Sequence, residues 1–174
     1  MSPMASAKPQ LASSDEWLAA IGPRLTQAGF VLLHPQGYQS AGFKYVLRRT
    51  QFEITKFGMA ETFFAFADLP VLVPQTMVNF SAAAYQLAMR SKTVPLPCGC
   101  FESVFCFPVA ITSQLDPRMA EWIRQTQPPK HFASCEMPVA YDLTTRTLCY
   151  FEHTPLWGAA YFAGFRQQIQ MLLG

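Results

Sequence analysis

The residues of this chain with most chemical potential lie near its C-terminal third: Lys130-His131, then Cys135-Glu136, then Asp142. A histidine is a natural general base, a carboxylate can orient it, and a cysteine can attack once deprotonated. The five residues sit where a loop enters an extended run, a common location for site residues. On a regular strand Cys135 and Glu136 point to opposite faces, so they do not form a triad with His131 by spacing alone. The plain alternative is a histidine that ties down a loop.

Cys98-Gly99-Cys100 offers two sulfur ligands for zinc or copper, or a redox pair. Structural zinc sites show two closely spaced ligand pairs, and here there is one. The basic residues Lys44, Arg48, Arg49 and Lys56 flank Tyr45 and could meet phosphates or stacked bases. Lys44 and Arg48 fall on one strand face and Arg49 on the other, with Glu53 and Glu61 near enough to neutralise them. Glu152-His153-Thr154-Pro155 reads as a capped helix start that could hold an anion.

Hydrophobic patterning supplies the elements that must position these groups. Ser13-Ser14-Asp15-Glu16 reads as a capping box, followed by Trp17, Ile21 and Leu25 at helical spacing, with Gly22-Pro23 as a possible kink and Gly29 as the stop. Short extended runs follow over 30–34, 43–49, 52–57 and 62–69, an antiparallel meander. Pro74 opens a second helix with Met77, Phe80, Ala84, Leu87 and Ala88 on one stripe. A strand spans about 103–112, and Pro108 within it implies an edge or a bulge. Asp116-Pro117 starts a third helix. A hairpin turns around Thr144-Thr145-Arg146, and Thr154-Pro155 opens the last helix, with Trp157, Tyr161, Phe165, Ile169 and Leu172 on one side. The expected fold is α+β: a mixed, largely antiparallel sheet packed by about four helices, with residues 1–13 a mobile tail and 14–174 a single domain.

The order helix, three-stranded meander, helix, strand over residues 14–112 resembles the core of the restriction-endonuclease-like nucleases. That resemblance implies divalent-metal catalysis on nucleic acid, with an acid on the second strand and an acid-x-Lys on the third. The nearest residues are Glu53, Lys56, Glu61 and Asp68. Glu53 and Lys56 are three apart, on opposite strand faces, and Asp68 is followed by Leu69-Pro70 rather than by a lysine two residues on. The family's motif is therefore rearranged here if it is present at all.

Composition bounds the rest. Of 174 residues, 51% are hydrophobic and 14% charged, against roughly 25% charged in ordinary soluble domains. A folded monomer of this mass exposes on the order of 8,500 Å², so the 13 basic and 11 acidic residues are spread thinly. A surface this poor in charge points to a protein partner, either a second copy or another subunit. A net charge of +2 does not indicate nucleic acid, and no run is long and apolar enough to span a membrane. Five cysteines and no secretory-type leader suggest reduced thiols in a cytoplasm. No nucleotide, zinc-protease or serine-elbow fingerprint occurs, and no cofactor is implied. The leading expectation is a non-catalytic cytoplasmic interaction domain. The alternatives are a metal-dependent enzyme with a rearranged nuclease-like site, and a small-molecule binder with a Phe-lined pocket fronted by Lys130, His131 and Glu136.

Overall fold

The structure is a computed structural model that describes residues 13–33, 42–53, 57–95, 98–99, 101–156 and 159–174. Residues 1–12, Lys56, Cys100 and Trp157 lie outside the described residues. Among those described, eight strands form one mixed sheet and four helices pack on it, an α+β fold.

Helix α1 (Ser14–Gln27) starts where the sequence marks it. The Ser13 hydroxyl accepts from the Glu16 N–H and the Glu16 carboxylate accepts from the Ser13 N–H, so both halves of the capping box are made. Pro23 stays inside an unbroken helix. Strands β1 (Val31–Leu32), β2 (Tyr45–Glu53) and β3 (Gly58–Asp68) make the antiparallel meander. The two runs expected over 43–57 belong to one strand through Glu53.

Helix α2 (Pro74–Ser91) then crosses over, so that β4 (Glu102–Thr112) lies parallel to β3. Helix α3 (Pro117–Gln125) is capped by the Asp116 carboxylate, which accepts from the Arg118 and Met119 N–H groups. After it come β5 (Lys130–His131), β6 (Ser134–Glu136), β7 (Val139–Asp142), β8 (Thr147–Tyr150) and helix α4 (Ala159–Leu173).

Pro108 is not on an edge. β4 is central, with β3 on one side and both β6 and β7 on the other. β6 pairs with residues 104–106 and β7 with residues 109–112, so the neighbouring strand is interrupted opposite the proline that has no N–H to give. The register on the two sides of the interruption is the same, so the proline is met by a gap in pairing and not by the edge or bulge expected.

The sheet is covered on both faces. Trp17, Ile21 and Leu25 of α1 and Phe162, Phe165 and Ile169 of α4 pack on Phe64, Phe66, Phe105 and Phe107. On the other face, Ala84 and Ala88 of α2 meet Phe63, Val104 and Cys106, and α3 packs Met119 and Ile123 near Ala110 and Ala140. Residues alternate between these faces along each strand, which decides where every candidate side chain can act.

Helix α4 is described from Ala159, and residues 157–158 lie outside the described residues. The Thr154 hydroxyl accepts from Arg166, whose guanidinium also donates to the His153 carbonyl. Phe162 takes the buried position expected of Tyr161. No helix among the described residues is long and apolar enough to cross a membrane.

Candidate functional site

The short hairpin β5–β6 decides the geometry. Its register pairs Lys130 with Cys135 and His131 with Ser134. Directly opposed residues share a face. Cys135 belongs to the core beneath α4, so Lys130 lies on that side. Ser134 and Glu136 lie on the α2 side with His131. Neighbours in sequence thus serve two different environments.

On the α2 side, the His131 imidazole stacks on Tyr85 with ring centroids 4.0 Å apart and planes 8° from parallel. The Tyr85 hydroxyl meets the Ser134 hydroxyl at 2.6 Å. His131 Nε2 stands 3.5 Å from Glu136 Oε2, an ion-pair separation. Glu136 is buried. Burial pushes its carboxyl pKa up, and His131, together with the nearby Ser81, only partly offsets that. The sequence placed His131 and Glu136 close in the chain; the hairpin brings them together in space.

On the α4 side lies a cleft of about 500 Å³. Its floor is made by the first residues of β4 and β6, Ser103, Phe105 and Cys135. Its wall is the first turns of α4, Tyr161, Phe162 and Phe165. Its rim is Phe101 and Phe132, both well over half exposed. Glu53, Glu102, Lys130 and His131 are the acidic and basic residues that border it. A cavity of this size, apolar with a few convergent polar groups, is suited to a small ligand.

Backbone strain concentrates around this rim. Phe57, Phe101 and Ala133 have φ of 51°, 71° and 51°, a region that costs a residue with a side chain of the order of 1–2 kcal/mol. Gly58 is required here, because a Cβ on it would come 2.7 Å from the Phe101 carbonyl oxygen. Gly99, at φ 95°, packs so tightly on the Phe132 ring that a Cβ would overlap it. Sequence reading did not find Ser103, Phe101, Phe132 or the α4 wall as parts of one site; the exposed, left-handed Phe101 carries no sequence signal.

The remaining candidates do structural work. Asp142 is remote from His131 along the sheet: its Oδ1 accepts from the Thr144 and Thr145 N–H groups and its Oδ2 from Leu115 N–H, fixing two loops. Lys44 bridges Asp15 at 2.8 Å and Asp68 at 2.9 Å and donates to the Ser14 hydroxyl. Burial pulls the Lys44 ammonium down, but those two carboxylates outweigh it and leave its pKa raised. Arg48 donates to the Ser91 carbonyl. Arg49 lies 4.8 Å over the Phe30 ring and donates to Ala28, its pKa lowered by burial.

The acidic residues of the nuclease resemblance are dispersed. Glu61 pairs in register with Thr50, three residues from Glu53, so Glu53 and Glu61 face opposite sides. Asp68 is seven residues further along β3, about 23 Å at strand rise. Glu61 is fully buried and its Oε1 accepts from Thr93 N–H, Thr93 hydroxyl and Val94 N–H. Glu102 is buried against Lys92 at 2.6 Å. Among the described residues, no group of three or more His, Cys, Asp or Glu is arranged to hold a metal ion.

Four cysteines are described and all are free thiols. Cys98 is half-buried, and burial raises its pKa. Cys135, on the floor of the cleft, is pushed up to about 12 by burial, with the Glu136 charge adding to it. At neutral pH it is a packed thiol with almost no thiolate, so it is not an activated nucleophile.

The chain thus combines an α+β architecture with a Phe-walled cleft. No protein-family model, curated protein or solved structure matches this chain.

Proposed function

We propose that this protein is a small-molecule-binding domain that takes a largely apolar ligand into the cleft between α4 and the starts of β4 and β6. The observation that carries this reading is the combination of a 500 Å³ cavity with a Phe105–Phe162–Phe165 lining and a mouth between exposed Phe101 and Phe132. Phe101 at that mouth has left-handed backbone, φ 71°, and its side chain is exposed. The reading is binding rather than turnover, because the one thiol on the floor is kept protonated.

An environment-sensitive apolar dye tests it. The dye should bind saturably at one site per chain. Ser103→Phe, which fills the floor, should abolish that binding while leaving the thermal unfolding transition cooperative. Unchanged dye binding in Ser103→Phe overturns the reading.

A second reading has its own support. Phe52, Phe57, Phe101 and Phe132 are all more than half exposed and belong to the hairpin, loop and turn at one end of the sheet. A protein partner, a second copy or another subunit, would cover them. Sedimentation velocity across a concentration series tests self-association, and a monomer at every concentration removes the self-partner form of this reading.

A further inference from the structure

We infer that the cleft selects amphipathic anions, an apolar body ending in a carboxylate, and that Lys130 is the residue that receives the carboxylate. This rests on the binding reading above and names its ligand class.

Four acidic or basic side chains border the cleft: Glu53, Glu102, Lys130 and His131. Glu102 is taken by Lys92. His131 faces the α2 side, stacked on Tyr85 and set against Glu136. Glu53 already has a partner interaction. Lys130 alone has no hydrogen bond or ion pair among the described residues, and its register with Cys135 puts it on the cleft side of the sheet.

An uncompensated ammonium at the edge of an apolar cavity favours a negative head over a neutral or positive one. Met59, Phe105, Phe162 and Phe165 in the lining offer the ligand's body burial.

The chemistry fixes what binding must look like. Each methylene buried should tighten binding about fourfold, the equivalent of about 0.8 kcal/mol, until the cavity is full. The anionic head should add a smaller factor, of about fivefold, because Lys130 is exposed and its attraction is screened.

The test is a series of linear alkanoates from hexanoate to tetradecanoate, with the matching alkanols and alkyltrimethylammonium ions, measured by calorimetry on the full chain and on Lys130→Met. Alkanoate affinity should rise with length and then level off. Lys130→Met should weaken decanoate about fivefold and change decanol less than about twofold, and added salt should erase the difference. Lys130 is exposed, so this substitution leaves the fold intact. If decanoate and decanol lose affinity equally in Lys130→Met, or neither does, anion selection by Lys130 is wrong while the cavity reading stands. If the alkylammonium ions bind best, the charge class is wrong. If no member of any series binds, both readings fall.

Discussion

Tyr85 of α2 and His131 of β5 stack face to face at 4.0 Å, 8° from parallel, and this contact pins the β5–β6 hairpin to the α2 face of the sheet. The same hairpin carries Lys130 to the opposite face. Whatever fixes His131 therefore also fixes where Lys130 presents its charge.

The first prediction separates the two bonds of Tyr85. Tyr85→Phe keeps the stack and removes the hydroxyl that meets Ser134 at 2.6 Å. It should cost about 1 kcal/mol in urea unfolding, the ordinary worth of one such hydrogen bond. Tyr85→Ala removes the ring as well and should cost about 3 kcal/mol or more. Only Tyr85→Ala should also weaken decanoate binding on the other face. Equal costs for the two substitutions would mean that the stack contributes nothing.

The second prediction follows from Glu136. Burial is the largest influence on its carboxyl, and it leaves the folded pKa above the ordinary value of 4.5 despite the opposing pull of His131. The folded state then binds the proton more tightly than the unfolded state. Its contribution to stability is complete below the unfolded pKa and is lost as pH rises through the folded one. Glu136→Gln cannot ionise. The stability of the native protein minus that of Glu136→Gln should therefore fall as pH rises from about 4.5, then level off once Glu136 is ionised. Urea unfolding at a series of pH values gives this difference directly. A difference that rises with pH would show that the attraction of His131 outweighs burial.

Much of the scaffold is written in local chemistry. Ser13 with Glu16 and Asp116 with Pro117 are caps whose partners are three residues or fewer away, and both are found as their spacing implies. Pro74 likewise opens α2. Features that depend on distant chain were not readable. Pro108 became central because β6 and β7 arrive from residues 134–142 with a gap opposite it. Arg166, twelve residues on, donates to the Thr154 hydroxyl, a contact that local spacing does not show. Lys130, His131 and Glu136 could be nominated by type, but their division between two faces depends on a two-residue strand too short to show periodicity. The cleft itself joins residues from five segments, and no one of those segments shows it.

The third prediction concerns the cost of holding the mouth open. Phe101 is exposed, yet it sits at φ 71°, where a side chain is strained and glycine is not. Nothing in packing requires a phenylalanine there: its carbonyl, which accepts from Met59 N–H at 2.7 Å, is backbone and survives any substitution. Phe101→Gly relieves strain of about 1–2 kcal/mol and gives back about 0.5–1 kcal/mol to the freer unfolded chain. The net effect should be a gain in stability of up to about 1.5 kcal/mol, seen as a higher urea midpoint with an unchanged slope. The same substitution removes one side of the cleft mouth and should weaken decanoate several-fold. Stability up with affinity down is the signature of a residue kept for binding at the expense of the fold. A loss of stability in Phe101→Gly would instead make Phe101 a packing residue, and the mouth would lose its claim to be held open for a ligand.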